Sequence, residues 1–308
     1  MISNFLTVAQ QVSILFVLIL IGFTASKAKL FDEHVAKGMT EIVLYLATPC
    51  IIIASFQRAF DPTLLAGLLS AVGSAFAIHI LSIVFSRLII HDKDLARQKV
   101  LQFGIVFSNC GFMSLPLQKA ILGANGVFYG SAYVMVFNLL SWSYGLVLMS
   151  GDKKNLSLKK VLLNPGIMGV LVAVVLFVAS VSLPEIILSP ITYVSYLNTP
   201  LPMMIIGFHL ASTKFSKVFS DLQMYPALIL RLAIIPLLAL GGMILCGVHG
   251  DILVSITIAA SAPAAATTTL FAAKFNRDTK LSVSFVSAST VLSIISMPLI
   301  VGLAEMLK

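Results

Sequence analysis

An apolar segment in the first half of the chain is interrupted by Ser108-Asn109-Cys110-Gly111-Phe112-Met113-Ser114-Leu115-Pro116. A second apolar segment is interrupted in a similar way by Ser261-Ala262-Pro263 and the residues that follow it up to Thr269. Proline in a helix interior removes a hydrogen bond and clashes with the preceding turn. The two stretches therefore predict two discontinuous helices, broken close to Pro116 and close to Pro263.

The composition places these helices in a membrane. Of 308 residues, 59% are hydrophobic and only 10% are charged, and the mean hydropathy is +1.04. A soluble domain of this length needs a polar exterior, so this exterior must face lipid. The predicted fold class is all-α integral membrane, with about ten transmembrane helices. They are expected at roughly 5–26, 36–57, 63–86, 99–119, 125–149, 165–183, 186–212, 225–247, 252–273 and 281–304.

The basic residues predict an orientation for these spans. Sixteen of them lie in or beside the loops that follow odd-numbered spans, and the loops after even-numbered spans hold only Arg58 and Lys119. The positive-inside rule makes the side with sixteen charges cytoplasmic and puts both termini outside. The net charge of +8 is thus a topology signal, and no nucleic-acid partner is expected.

A short repeat divides the chain into two halves. Tyr45-Leu46-Ala47-Thr48-Pro49 in the second span is matched by Tyr196-Leu197-Asn198-Thr199-Pro200 in the seventh. Residues 1–150 and 160–308 would each hold five spans, and an odd number makes the two repeats inverted. Inverted repeats with one broken helix in each, here spans 4 and 9, are typical of secondary transporters.

Crossing broken helices predict an anion site near the middle of the membrane. Their half-helix N-termini present unpaired N–H groups and positive dipole ends, and Asn109 adds a side-chain donor. No Lys or Arg is expected near the breaks, so neutral donors would hold the anion. The alternative is that proline and glycine only kink packed helices. The candidate substrate-binding residues are Thr48, Ser108, Asn109, Cys110, Gly111, Pro116, Asn198, Thr199, Ser261, Pro263, Ala264, Thr267 and Thr268.

Few ionisable residues fall inside the predicted spans. Glu41 and Arg231 lie near the cytoplasmic ends of spans 2 and 8, where each side chain is able to snorkel. His79 is near the middle of span 3 and is a candidate for proton coupling, or else a packing residue. These three are the candidate coupling residues. The sequence contains no HExxH, GxSxG or P-loop lysine motif, so no enzyme, cofactor or metal site is expected.

The residues around the breaks resemble the auxin efflux carrier family, which includes plant auxin exporters and bacterial malate and malonate permeases. The resemblance rests on the segment from Asn109 to Leu117 with Gly123, on Ala260-Ser261-Ala262-Pro263-Ala264, and on Ala273-Lys274-Phe275-Asn276. Pro49 and Gly207 also fit the family pattern. Plant members carry a polar amide where this chain has Ala264, so auxin-like substrates are not expected, and Thr267 to Thr269 are the candidates to supply the missing polarity.

The resemblance implies a scaffold and a transport domain, elevator-like alternating access, and Asn109 in contact with the substrate carboxylate. The sodium–bile acid symporters share a related architecture but typically place acidic ligands near the crossover. We expect a multi-pass cell-membrane permease, in a bacterium an inner-membrane one, for small mono- or dicarboxylates such as malate or malonate. The alternatives are a sodium-coupled organic-anion symporter and a membrane anion sensor that does not transport. The expected partners are the anion and the lipid bilayer, and a homodimer stays open.

Overall fold

A computed structural model describes residues 2–152, 154, 163–213 and 221–308, with side chains from residue 9 onward. Within these residues, helices are the regular structure, apart from one isolated bridge between two residues. Five of the lysines behind the predicted orientation lie outside the described residues: Lys153, Lys159, Lys160, Lys214 and Lys217.

Twelve helical stretches follow one another along the described chain. They are α1 (Ile2–Lys27), α2 (Glu33–Ser55), α3 (Pro62–Ile89), α4 (Leu95–Val106), α5 (Cys110–Ser150), α6 (Pro165–Val178), α7 (Glu185–Ser195), α8 (Pro200–Ala211), α9 (Leu222–Leu245), α10 (Gly250–Ser261), α11 (Thr267–Lys274) and α12 (Thr279–Leu307). Gly123 interrupts α5 with φ 62° and ψ −138°. Because this left-handed region favours glycine, the chain turns here, between the segments predicted as spans 4 and 5.

Six stretches are long and apolar enough to cross a bilayer. They are Ala9–Lys27, Glu33–Ser55, Pro62–Ile89, Cys110–Ser150, Leu222–Leu245 and Thr279–Leu307. The chain is therefore an all-helical, multi-pass membrane protein. The count of ten crossings, the inverted repeat and the boundary between the two halves stay predictions.

Two polar networks lie at opposite ends of several helices. At one end, Arg97 contacts Asp92, Asp221 and Asp278 at distances between 2.5 and 3.3 Å. At the other, Arg58 donates to Asn125 at 2.8 Å, and Asn125 donates to Asp251 at 2.8 Å. The first network joins segments that follow predicted spans 3, 7 and 9, and the second joins segments that follow spans 2, 4 and 8. This is the grouping that the predicted order of spans produces.

The two repeated pentapeptides touch each other. Asn198 donates its side-chain N–H to the hydroxyl of Thr48 at 2.9 Å, and both side chains are buried. Each motif lies in an irregular turn, a π-helical turn at Val43–Ala47 and a 3₁₀ turn at Tyr196–Asn198. The repeat seen in the sequence is thus also a contact in space.

Helices α1 and α8 pack with their backbones in close contact. A Cβ on Gly22 would lie 2.3 Å from the carbonyl oxygen of Met204, and one on Gly207 would lie 2.1 Å from that of Ile19. Small residues permit this approach, which is common between helices in membranes.

Six helix starts at the surface are capped by side chains of Asp or Asn, and those of α7 and α10, after Pro184 and His249, are not. Asp32, Asp61, Asp94, Asn164, Asp221 and Asp278 each accept a hydrogen bond from a backbone N–H in the following first turn. Such caps satisfy donors that the helix itself leaves free. The helices that restart inside the protein lack them, which bears directly on the site.

Candidate functional site

The interruptions before α5 and before α11 meet in the interior. The N–H of Asn109 donates to the carbonyl of Pro263 at 2.8 Å, and the N–H of Ala265 donates to the carbonyl of Phe107 at 2.9 Å. Ser108 and Ala264 form an antiparallel bridge between these two bonds. Extended backbone buried among helices thereby satisfies part of its own hydrogen-bonding need.

One of the two predicted break positions is wrong. The break in the second half falls at Pro263, because α10 ends at Ser261 and α11 begins at Thr267. The break in the first half falls at residues 107–109, and Pro116 lies inside α5. A π-helical turn at Cys110–Ser114 precedes Pro116, so that the ring stands in the first α-helical turn, where a missing N–H is tolerated.

The restarting helices leave N–H groups free at the crossover. Neither Asn109, before α5, nor Ala266, before α11, caps its helix with a side chain. In the described part of the chain, the N–H groups of Phe112 and Thr267 make no backbone hydrogen bond, and that of Gly111 lies close to the Cys110 thiol. Free N–H groups and the positive dipole end of a helix together favour an anion.

The side chain of Asn109 lies at this end of α5. It is 7% exposed, and none of the described residues hydrogen-bonds its amide. Next to it, a Cβ added to Gly111 would meet no atom within 4 Å. A buried amide without a partner beside open space is a donor available to a ligand.

The start of α5 also packs against the helices next to the two pentapeptides. Phe112 packs against Val43 of α2 and Ile205 of α8 in a small buried cluster. Through this cluster, α2, which carries Thr48, and α8, which follows Asn198 and Thr199, approach the start of α5. The Oδ1 atom of Asn198 is buried and accepts no hydrogen bond from the residues that the structure describes.

The threonines of α11 supply further unpaired groups. Thr268 is fully buried, and the hydroxyls of Thr267 and Thr268 have no partner among the described residues. Ser261 bonds to its own helix through the carbonyl of Ile258 at 3.1 Å. The N–H of Ala264 is satisfied by the hydroxyl of Ser289 at 3.2 Å.

Arg231 departs most from the sequence expectation. It does not snorkel: its side chain is completely buried, with Nη1 donating to the carbonyl of Ile105 at 2.8 Å and Nη2 to that of Ala260. Those carbonyls belong to the last turns of α4 and α10. The expectation that no Lys or Arg lies near the breaks is therefore wrong, because Arg231 in α9, distant in sequence, reaches both of them.

The other two candidate coupling residues have different surroundings. His79 is fully buried with its ring 4.8 Å from that of Tyr133, and Nδ1 lies 2.8 Å from the carbonyl of Ala75. Its Nε2 atom makes no hydrogen bond within the described part of the chain. Glu41 is exposed on α2 and has no ion pair in the described structure. Only His79 and Arg231 reach the interior.

Several buried polar groups near the crossover were not anticipated. Tyr133 lies beside Arg231, Cys110 and Ser108, and its hydroxyl faces Ser108 and Arg231 in contacts that fall short of good hydrogen-bond geometry among the described residues. Gln118 joins α5 to α10 by donating to the carbonyl of Ser255 at 2.8 Å. A polar side chain inside an apolar run was the available signal for Tyr133, Gln118 and Ser289.

The architecture defines a class: a multi-pass helical membrane protein in which two discontinuous helices meet in the interior. The sequence profile described as "Membrane transport protein" matches residues 7–158 and 154–301. The chain therefore belongs to this family of membrane transporters, the auxin efflux carrier family that its crossover motifs resemble.

Two archaeal proteins are similar to the chain over almost its whole length. A protein of Methanothermobacter thermautotrophicus described as an uncharacterized transporter is 26% identical, covering 96% of this chain and 98% of its own length. An uncharacterized transporter of Methanocaldococcus jannaschii is 23% identical, covering 92% of this chain and 94% of its own.

Proposed function

We propose that the protein is a secondary transporter of small organic anions, with mono- or dicarboxylates such as malate or malonate as substrates. Membership of a transporter family supports the carrier function over an enzymatic one. The substrate class rests on one observation above all. The two restarting helices present free N–H groups beside an unpaired, buried Asn109 amide and open space at Gly111.

In this proposal the carboxylate binds at the start of α5. The N–H groups of Gly111 and Phe112 and the Asn109 amide donate to its oxygens, and the N-terminus of α11 with Thr267 and Thr268 faces the rest of the molecule. The other candidate residues shape the surroundings: Ser108, Cys110, Ser261, Pro263 and Ala264 at the crossover, and Thr48, Asn198 and Thr199 on the opposing helices. Pro116 has no contact with the substrate in this proposal and belongs only to α5, the helix that carries the site.

Transport by an elevator movement fits a site built this way. The donors at the crossover belong to helices held together by the bridge between Ser108 and Ala264. A unit containing both breaks is then able to move past the helices around Thr48 and Asn198 while it carries the anion intact. Alternating access in carriers with broken helices comes from rigid-body movement of one helix bundle against another.

Replacement of Asn109 tests the proposed site. We expect Asn109→Ala to weaken carboxylate binding by roughly ten- to hundred-fold, because a charge-assisted hydrogen bond contributes about 1.5–3 kcal/mol. The measurement is the affinity of the purified protein for malate, malonate and a panel of monocarboxylates.

Asn138→Ala is the matched control. Its amide donates within its own helix, to the carbonyl of Val134 at 2.9 Å, so its removal should leave affinity unchanged. If the folded Asn109→Ala protein binds every member of the panel as the parent does, the anion site lies elsewhere.

A further inference from the structure

Arg231 holds together the ends of two helices that stop at the crossover. Its guanidinium donates to the carbonyls of Ile105 in α4 and Ala260 in α10. Carbonyls in the last turn of a helix have no acceptor role within it, and they form the negative end of the helix dipole. One positive charge therefore lies between two negative helix ends.

The position of Arg231 along α9 suits this role. It stands in a π-helical turn at Leu230–Ile234, nine residues after the first residue of α9, or about 14 Å along the helix axis. That places it level with the last turns of α4 and α10, whose carbonyls its guanidinium reaches. Irregular π-helical turns occur often at functional positions.

In carriers with broken helices, unwound carbonyls and helix C-termini are where coupling Na⁺ or H⁺ binds. We propose that Arg231 is a tethered cation in that position, so that the transport of the anion requires no sodium. The inference rests on the proposed function. The guanidinium takes up the carbonyls that a sodium ion would need, and its charge repels a second cation at the same place.

The charge has no acidic partner in the described structure. None of the described salt bridges includes Arg231, and the side chains beside it are Tyr133, Cys110 and His79. The Nε atom makes no hydrogen bond with them. The guanidinium, compensated here only by two helix dipoles, raises the local potential for an anion at the crossover, as a co-transported cation would do.

The test compares sodium with choline in two measurements on the full-length protein. One is carboxylate uptake into proteoliposomes, and the other is the midpoint of thermal unfolding in detergent. For the parent protein, both should be the same in sodium chloride and in choline chloride. Uptake or a thermal midpoint that depends on sodium would overturn the proposal.

Arg231→Ala should lower uptake by at least about tenfold, since two buried carbonyls lose their donors. Its thermal midpoint should fall and then recover in part when millimolar guanidinium or sodium is added. Arg58→Ala is the matched control: that guanidinium bonds to Asn125 and covers Phe128 at a distance from the crossover, and its loss should not make the protein responsive to either cation. An Arg231→Ala protein with parental uptake and midpoint would refute the inference.

Arg231→Lys covers the case in which the alanine variant does not fold. Its ammonium retains the charge, so the protein should fold, transport less than the parent and still ignore sodium. Stabilisation of this variant by sodium would count against the tethered cation. The thermal measurements need no substrate. If the parent protein transported no carboxylate but showed the expected thermal midpoints, the proposed function would be refuted and the inference about Arg231 would stand.

Discussion

Gly111 is the residue at which open space and free donors coincide. A side chain there would enter the space beside the Asn109 amide, since no atom lies within 4 Å of its Cβ position. We expect Gly111→Val to reduce carboxylate uptake by at least about tenfold while the thermal midpoint changes little, because the chain fills a void without a clash.

Gly73→Val is the control for this change. Gly73 also has no neighbour within 4 Å of its Cβ position, but it is exposed on α3. Uptake by the two variants and the parent should be compared at equal protein density. Equal uptake by all three would show that the substrate does not use the space at Gly111.

A negative charge introduced at position 109 provides a second test. We expect Asn109→Asp to bind carboxylates more weakly than Asn109→Ala, because an ionised carboxylate repels the substrate and donates no hydrogen bond. Thr268→Val should have a smaller effect, since Thr267 offers a second unpaired hydroxyl. Titration of the three purified variants with one substrate gives the order, and tighter binding by the aspartate variant would contradict it.

Some of these residues were readable from the sequence and some were not. Asn109 and Pro263 stand out because polar or helix-breaking residues are rare in apolar runs, and both lie at the crossover. Pro116 misled because a proline in a first turn breaks nothing. Arg231 was placed in the correct span, but its partners are carbonyls far away in sequence, and no local pattern encodes a contact of that kind.

At the scale of the elements, the close packing of α1 on α8 is a point of fragility. Gly207→Ala puts a Cβ against the backbone of α1, and the helices must separate to admit it. We expect a loss of about 1–3 kcal/mol of stability, as for other overpacked interfaces. Thermal unfolding in detergent measures it, with Gly241→Ala as the control, because that position has no neighbour within 4 Å.

The contacts of Arg97 join the start of α4 to the starts of α9 and α12. Without its charge, Asp92, Asp221 and Asp278 face one another unbalanced. We expect Arg97→Gln to lower the thermal midpoint, with a free-energy change of about 1–2 kcal/mol for a partly exposed network.

Acid should remove that difference. The N–H of Asp94, assisted by Arg97, holds the pKa of Asp92 below its ordinary value. A carboxyl whose pKa is lowered on folding stabilises the protein above its unfolded pKa of about 3.9, and this is lost as pH falls through the lower folded value. The midpoints of parent and Arg97→Gln should therefore converge only below about pH 4. If the difference in thermal midpoint between the parent and Arg97→Gln stayed constant below that pH, the destabilisation would come from lost packing and not from lost charge.

For the whole molecule, the orientation in the membrane is the open prediction. The sixteen-to-two division of basic residues puts both termini outside and the loop at Lys153 in the cytoplasm. Reporter fusions at the two termini and after Lys153 test it. A cytoplasmic C-terminus would refute the orientation and the inverted repeat together.

The general architecture was accessible from composition, because a chain this apolar has few choices other than membrane helices. The close contact of the two breaks was expected from their paired positions. In the structure, the antiparallel bridge between Ser108 and Ala264 makes this contact. What the sequence did not contain was the state of the two inner helix starts, where Ala266 and Asn109 provide no side-chain cap.

The packing of α1 on α8 also has a consequence for biosynthesis. Gly22 leaves the ribosome about 180 residues before its partner Met204. At ordinary rates of translation this delay is on the order of tens of seconds. Throughout it, the glycine face of the first helix has no partner from its own chain. It is therefore the part of the nascent protein most in need of protection by lipid or by an insertion chaperone.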